Sequence, residues 1–75
     1  MNLEELERAN MLVQEIRTLE RLSESELEYL RVRYPDFKYD SVSVKDKLKE
    51  KIQNVIEDYT DELKAELKEL GVHYE

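Results

Sequence analysis

Apolar residues recur at intervals of three and four along two long stretches of this chain, and its one proline, Pro35, stands between them. Leu3, Leu6, Ala9, Leu12, Val13, Ile16, Leu19 and Leu22 form the first stripe. Val44, Leu48, Ile52, Val55, Ile56, Tyr59, Leu63, Leu67 and Leu70 form the second. This spacing puts one side of a helix against a core and leaves the other sides to water. It predicts a helix over 2–22 and another over 44–70. Asn2 is suited to cap the first, and Glu4, Glu5 and Glu7 sit in turns where the helix dipole favours negative charge. Glu4 and Arg8 have i,i+4 pairing geometry. Ser43 opens the second helix, with Asp46 three residues on as a capping-box variant, and Gly71 closes it as a C′ residue. At 1.5 Å per residue that helix would be about 40 Å long.

The segment between the stripes is less regular. Ser23 with Glu26, and Ser25 with Glu28, both match a capping box. Leu27 and Leu30 prolong the apolar pattern, and Pro35 stops any helix at Tyr34. A short helix over about 25–33 is the preferred reading. The connector 34–43 alternates Phe37, Tyr39 and Ser41 with Lys38 and Asp40, as one extended segment would. A lone strand would have no partner inside the chain, so it would stay a loop or pair with another copy. The tail 71–75 lies beyond the cap. The expectation is an all-α, single-domain helical hairpin over 1–75.

At 75 residues, two helices bury one face each, and the balance of apolar burial against lost conformational freedom comes out near zero. With no Cys there is no disulfide to compensate, and thiolate metal sites and thiol nucleophiles are excluded as well. The chain is therefore expected to pack in coiled-coil fashion as a homo-oligomer, with Ile52, Val55, Ile56, Tyr59 and Leu63 at the interface. One glycine cannot build a Gly-rich phosphate loop. No apolar run approaches the roughly 20 residues of a membrane span, and the acidic N-terminal segment does not read as a signal peptide. No membrane partner and a cytoplasmic location are expected.

The net charge of -7 conceals two opposite regions. Residues 31–51 carry Arg31, Arg33, Lys38, Lys45, Lys47, Lys49 and Lys51 against Asp36, Asp40, Asp46 and Glu50, which makes that segment +3 and the remainder -10. Tyr29, Tyr34, Phe37 and Tyr39 lie in or beside it. On the second helix the charges run against the dipole, with lysines at the start and Glu57, Asp58, Asp61, Glu62, Glu66 and Glu69 towards the end. Two explanations fit. Antiparallel pairing of that helix with a second copy would set each lysine-rich end against an acidic one. Alternatively, the basic segment would hold an anion such as a nucleotide, with Arg31, Arg33, Lys38, Lys45 and Lys47 on phosphate and Tyr34, Phe37 and Tyr39 available for stacking on a base. Ser41 and Ser43 add hydroxyls.

Other constellations carry less. His73 is the single histidine and reads as a solvated tail residue. Asp58, Glu62 and Glu66 share one helix face and read as solvated, because bundle di-metal sites pair Glu with His at i,i+3. The serines have no accompanying base. No enzyme, no metal site and no cofactor are expected. Net negative charge disfavours duplex DNA, whereas it permits an acidic nucleic-acid mimic that blocks a host protein.

The opening LEELERANMLVQEIRTLERL and the closing DELKAELKELGV resemble the small helical-hairpin proteins of phages and prophages. That resemblance implies a host-cell setting and, for some members, an anti-defence role, either binding a host defence protein or sequestering its nucleotide signal. The functional expectation is a non-enzymatic phage-type protein sequestering an anionic nucleotide, cyclic or other, through segment 29–51. The alternative is a coiled-coil or acidic interaction module.

Overall fold

A computed structural model describes residues 1–74. The order is α1 (Leu3–Glu24), β1 (Tyr29–Arg33), β2 (Tyr39–Ser43) and α2 (Asp46–Glu69). The two long helices are present, but the expected all-α architecture is corrected. The stretch read as a short helix over 25–33 contains a strand, and the connector supplies its antiparallel partner within the same chain. Among the described residues no helix is long and apolar enough to cross a membrane.

The correction has a local cause. Ser25 ends α1 in extended conformation, its N–H on the Arg21 and Leu22 carbonyls and its hydroxyl 2.6 Å from the Arg21 carbonyl. Beyond it, Tyr-Leu-Arg-Val-Arg alternates with a period of two, and its ring and β-branched side chain suit a pleated surface. Pro35 is a turn residue here. The Phe37 N–H donates to the Tyr34 carbonyl at 3.0 Å and the Tyr34 N–H to the Lys38 carbonyl at 2.8 Å. Proline is favoured at the second position of such a turn. The three-residue loop closes with Phe37 at φ 66, the left-handed position usual for this hairpin type.

Helix α2 starts at Asp46 rather than at 44, and Ser43 belongs to β2 instead of capping. Lys45 occupies the N-cap without a side-chain bond. The C-terminal end forms as expected. Gly71 adopts φ 82, its N–H reaches the Lys68 carbonyl and the Val72 N–H reaches the Leu67 carbonyl, which is the Schellman pattern. At the other end Asn2 caps α1 through its side chain, 2.8 Å from the Glu5 N–H.

The helices pack antiparallel over one small core of Ala9, Leu12, Ile16, Leu63 and Leu67, ringed by Val13, Leu19, Leu70, Val72 and Tyr74. The tail thus returns to the core. Polar pairs bridge the seam. Arg8 reaches across to Glu66 at 2.7 Å instead of pairing with Glu4. The Tyr59 hydroxyl donates to Glu15 at 3.0 Å, and Lys64 lies 3.5 Å from Glu20.

The buried part of α2 is its second half. In the first half Leu48 and Val55 are exposed and Ile52 and Ile56 are half-buried. The ribbon of β1 and β2 packs on neither helix. The chain therefore exposes 6363 Å², whereas a compact monomer of this mass exposes about 4,900 Å². Its radius of gyration is 15.7 Å, against about 11 Å for a compact chain of this length.

The docked tail should respond to pH. The Tyr74 hydroxyl donates to Glu20 at 2.6 Å. That bond, aided by the charge of Lys64, holds Glu20 below its ordinary carboxylate value, and the same bond raises the Tyr74 phenol. A lowered carboxyl contributes stability that is present above its unfolded value and lost as pH falls through the folded one. A raised phenol contributes below its unfolded value and loses it as pH rises through the folded one. The tail should therefore stay docked between the two ranges and release on acidification through the Glu20 titration. NMR of the Tyr74 ring should show this transition, and Tyr74→Phe should remove it. A ring signal constant from neutral pH to below the carboxylate range would refute the linkage.

Candidate ligand-binding face of the ribbon

Register decides which side chains meet. Tyr29 pairs with Ser43, Leu30 with Val42, Arg31 with Ser41, Val32 with Asp40 and Arg33 with Tyr39. Paired residues share a face and alternate faces along each strand. One face thus carries Tyr29, Arg31, Arg33, Tyr39, Ser41 and Ser43. The other carries Leu30, Val32 and Val42, with Asp40 beside them.

On the first face the cations lie on rings. The Arg31 guanidinium sits 4.9 Å from the centre of Tyr39, and that of Arg33 sits 4.7 Å from the centre of Phe37 at the tip. Neither arginine has a salt-bridge partner among the described residues. Stacking orients each guanidinium plane while its N–H edges stay free for an anion. A depression of about 440 Å³ is lined by Arg31, Tyr39, Asp40 and Ser41. Asp40, from the opposite face, reaches this depression at the edge of β2, where its carboxylate is already engaged. It accepts from the Ser41 N–H at 2.8 Å and from the Tyr34 hydroxyl at 3.2 Å. The bond to Asp40 raises the Tyr34 phenol above its ordinary value.

Of the residues singled out from sequence, Arg31, Arg33, Phe37 and Tyr39 come together. Tyr34 is bonded to Asp40, away from the arginine face. Lys38 stands at the turn, 3.8 Å from Asp36. Lys45 and Lys47 lie at the other end of β2, where α2 begins. There Lys45 borders a smaller depression of about 230 Å³ with Leu27, Glu28, Tyr29, Ser43, Val44 and Lys49. Tyr29, which shares the arginine face, was not among the binding residues singled out. The alternation in Tyr-Leu-Arg-Val-Arg was the signal that could have placed it.

The residues expected at an oligomer interface divide. Leu63 is buried in the chain's own core, Ile52 and Ile56 are half-buried, and Val55 and Tyr59 are exposed. Its bond to Glu15 raises the Tyr59 phenol. The lysine-rich start of α2 finds an acidic neighbour within the chain, Lys49 lying 3.3 Å from Glu26. Among the described residues no three acidic or histidine side chains gather as a metal-ligand set, and Glu66 is paired with Arg8.

The chain matches no protein-family model, no curated protein and no solved structure.

Phe37 generates a test. A non-glycine residue in the left-handed region costs roughly 1–2 kcal/mol, and its ring is 72% exposed. Phe37→Gly should stabilise the ribbon by about 1 kcal/mol, seen as slower amide exchange at Leu30 and Val32. Faster exchange would mean that the Arg33–Phe37 contact outweighs the strain.

Proposed function

We propose that this chain is a non-enzymatic binding protein that works as a homo-oligomer and sequesters an anionic nucleotide on the Arg31–Arg33–Tyr39 face of its ribbon. The observation that carries this reading is the pair of arginines on one strand face, each lying over an aromatic ring and neither paired with a carboxylate among the described residues. Guanidinium N–H groups suit phosphate oxygens, and Tyr29, Tyr39 and Phe37 offer ring faces to a base. In a phage setting, as the resemblance implies, this chemistry would remove a nucleotide signal used by host defence.

The uncovered apolar residues of α2 support a second reading, in which Leu48 and Val55 dock on a host protein. Calorimetric titration with mononucleotides and cyclic oligonucleotides separates the two. If the ribbon binds nucleotide, Arg33→Ala should cost about 1.5–3 kcal/mol of affinity and Tyr39→Ala about 1–3 kcal/mol, and affinity should fall as salt rises. Neutralising Glu62 should leave binding unchanged. No heat with any nucleotide up to roughly a millimolar, a very weak affinity, would transfer the function to the protein partner.

A further inference from the structure

The edges of the ribbon differ, and the difference selects a partner. The bonds from Val44 N–H to the Glu28 carbonyl and from Tyr34 N–H to the Lys38 carbonyl bracket the ladder. Hydrogen-bonded pairs alternate along an antiparallel ladder, so the pairs between these two are Leu30 with Val42 and Val32 with Asp40. The main-chain groups of Tyr29, Arg31 and Arg33 consequently point outward from β1, with no partner among the described residues. The corresponding edge of β2 is partly closed, because the Asp40 carboxylate takes the Ser41 N–H at 2.8 Å. An open strand edge is a template for another strand.

We infer that β1 pairs antiparallel with β1 of a second copy across a two-fold axis at Arg31, making a four-stranded sheet from two ribbons. This rests on the homo-oligomer part of the proposed function and not on the nucleotide. Three observations favour a second copy as the occupant. The register that uses every outward group sets Arg31 opposite its equivalent and Tyr29 opposite Arg33. It keeps faces matched, so Leu30 meets Val32 and both ribbons turn one apolar side the same way. A two-stranded ribbon without a covering layer is marginal in water, and four strands are not. The chain also exposes about 1,500 Å² more than a compact monomer would, while a standard interface takes about 800 Å² from each partner.

Like charges directly opposite are unfavourable. Here each Arg31 guanidinium lies over Tyr39 of its own β2, which draws it away from the seam. Two basic faces then adjoin on one side of the sheet, and an anion spanning them would touch both chains.

The chain has no cysteine, so one introduced thiol reports the register. A central pair on such a seam has α-carbons about 5.5 Å apart, inside the roughly 4.4–6.8 Å a disulfide spans. Arg31→Cys should oxidise to a covalent dimer under mild conditions, while Ser41→Cys on the other edge should stay reduced. In the unaltered protein the amides of Tyr29, Arg31 and Arg33 should exchange about tenfold more slowly at concentrations where nine-tenths of the chains are paired than on dilution to monomer. Light scattering that shows an oligomer, with those amides unprotected and both thiols behaving alike, would overturn the β1 seam and leave assembly to the helices. A monomer at all concentrations would overturn both. Nucleotide titration is read separately, so a chain that pairs through β1 and binds no nucleotide refutes only the ligand.

Discussion

Five side chains, Ala9, Leu12, Ile16, Leu63 and Leu67, form the contact on which the rest of the molecule depends. Among the described residues this seam alone removes apolar surface from water along both helices, and it lies between α1 and the second half of α2. The polar bridges beside it, from Arg8 to Glu66, Tyr59 to Glu15 and Lys64 to Glu20, join exposed or half-exposed groups. Such pairs add little to stability. They select an alignment, because a one-turn slide of α2 would carry each donor about 5.4 Å from its acceptor.

A core this small leaves two surfaces unassigned, the first half of α2 and both faces of the ribbon. Their exposure follows from geometry. Helix α1 ends at Glu24 because Ser25 caps it, and the chain then leaves the helical layer for the ribbon. Leu48 therefore lies past the end of α1, whereas Val55 stands about 100° around α2 from Ile56 and is exposed because it turns away from the seam. The same departure frees the ribbon from the helices and gives its arginines access to solvent.

Both long helices were legible because their three-and-four spacing runs through many turns, and Gly71 was legible as the stop of α2 because a left-handed C′ residue favours glycine. The middle was misread where two signals overlapped. Leu27 and Leu30 sit at helical spacing from each other, while Leu30 and Val32 sit at strand spacing, and a window this short supports either period. Tertiary pairing decided it, since Val42 and Ser41 were available to face Leu30 and Arg31. Reading Pro35 as a helix stop concealed its fitness for the second position of a turn, and so concealed the partner strand. Phe37 in a left-handed conformation was beyond sequence reasoning, which looks for Gly or Asn there. The chemistry of the segment was nevertheless visible in composition, because Arg31, Arg33, Tyr39 and Phe37 stand within nine residues. What composition lacked was the register that separates them from Tyr34.

That register is also what ties the turn to the face. A strand has only two sides, and a slip of one residue would exchange them, sending Leu30 and Val32 to the arginine side of the opposing strand. The turn at Tyr34–Phe37 prevents the slip. Pro35 presets its own backbone angle, and the bonds from Tyr34 to Lys38 and from Phe37 to Tyr34 count the residues between the strands. The strain at Phe37 acts in the same place, since a ring held at the tip is where Arg33 finds its stacking partner. The left-handed residue that weakens the hairpin thus positions a cation on the face where Arg31 and Tyr39 already lie.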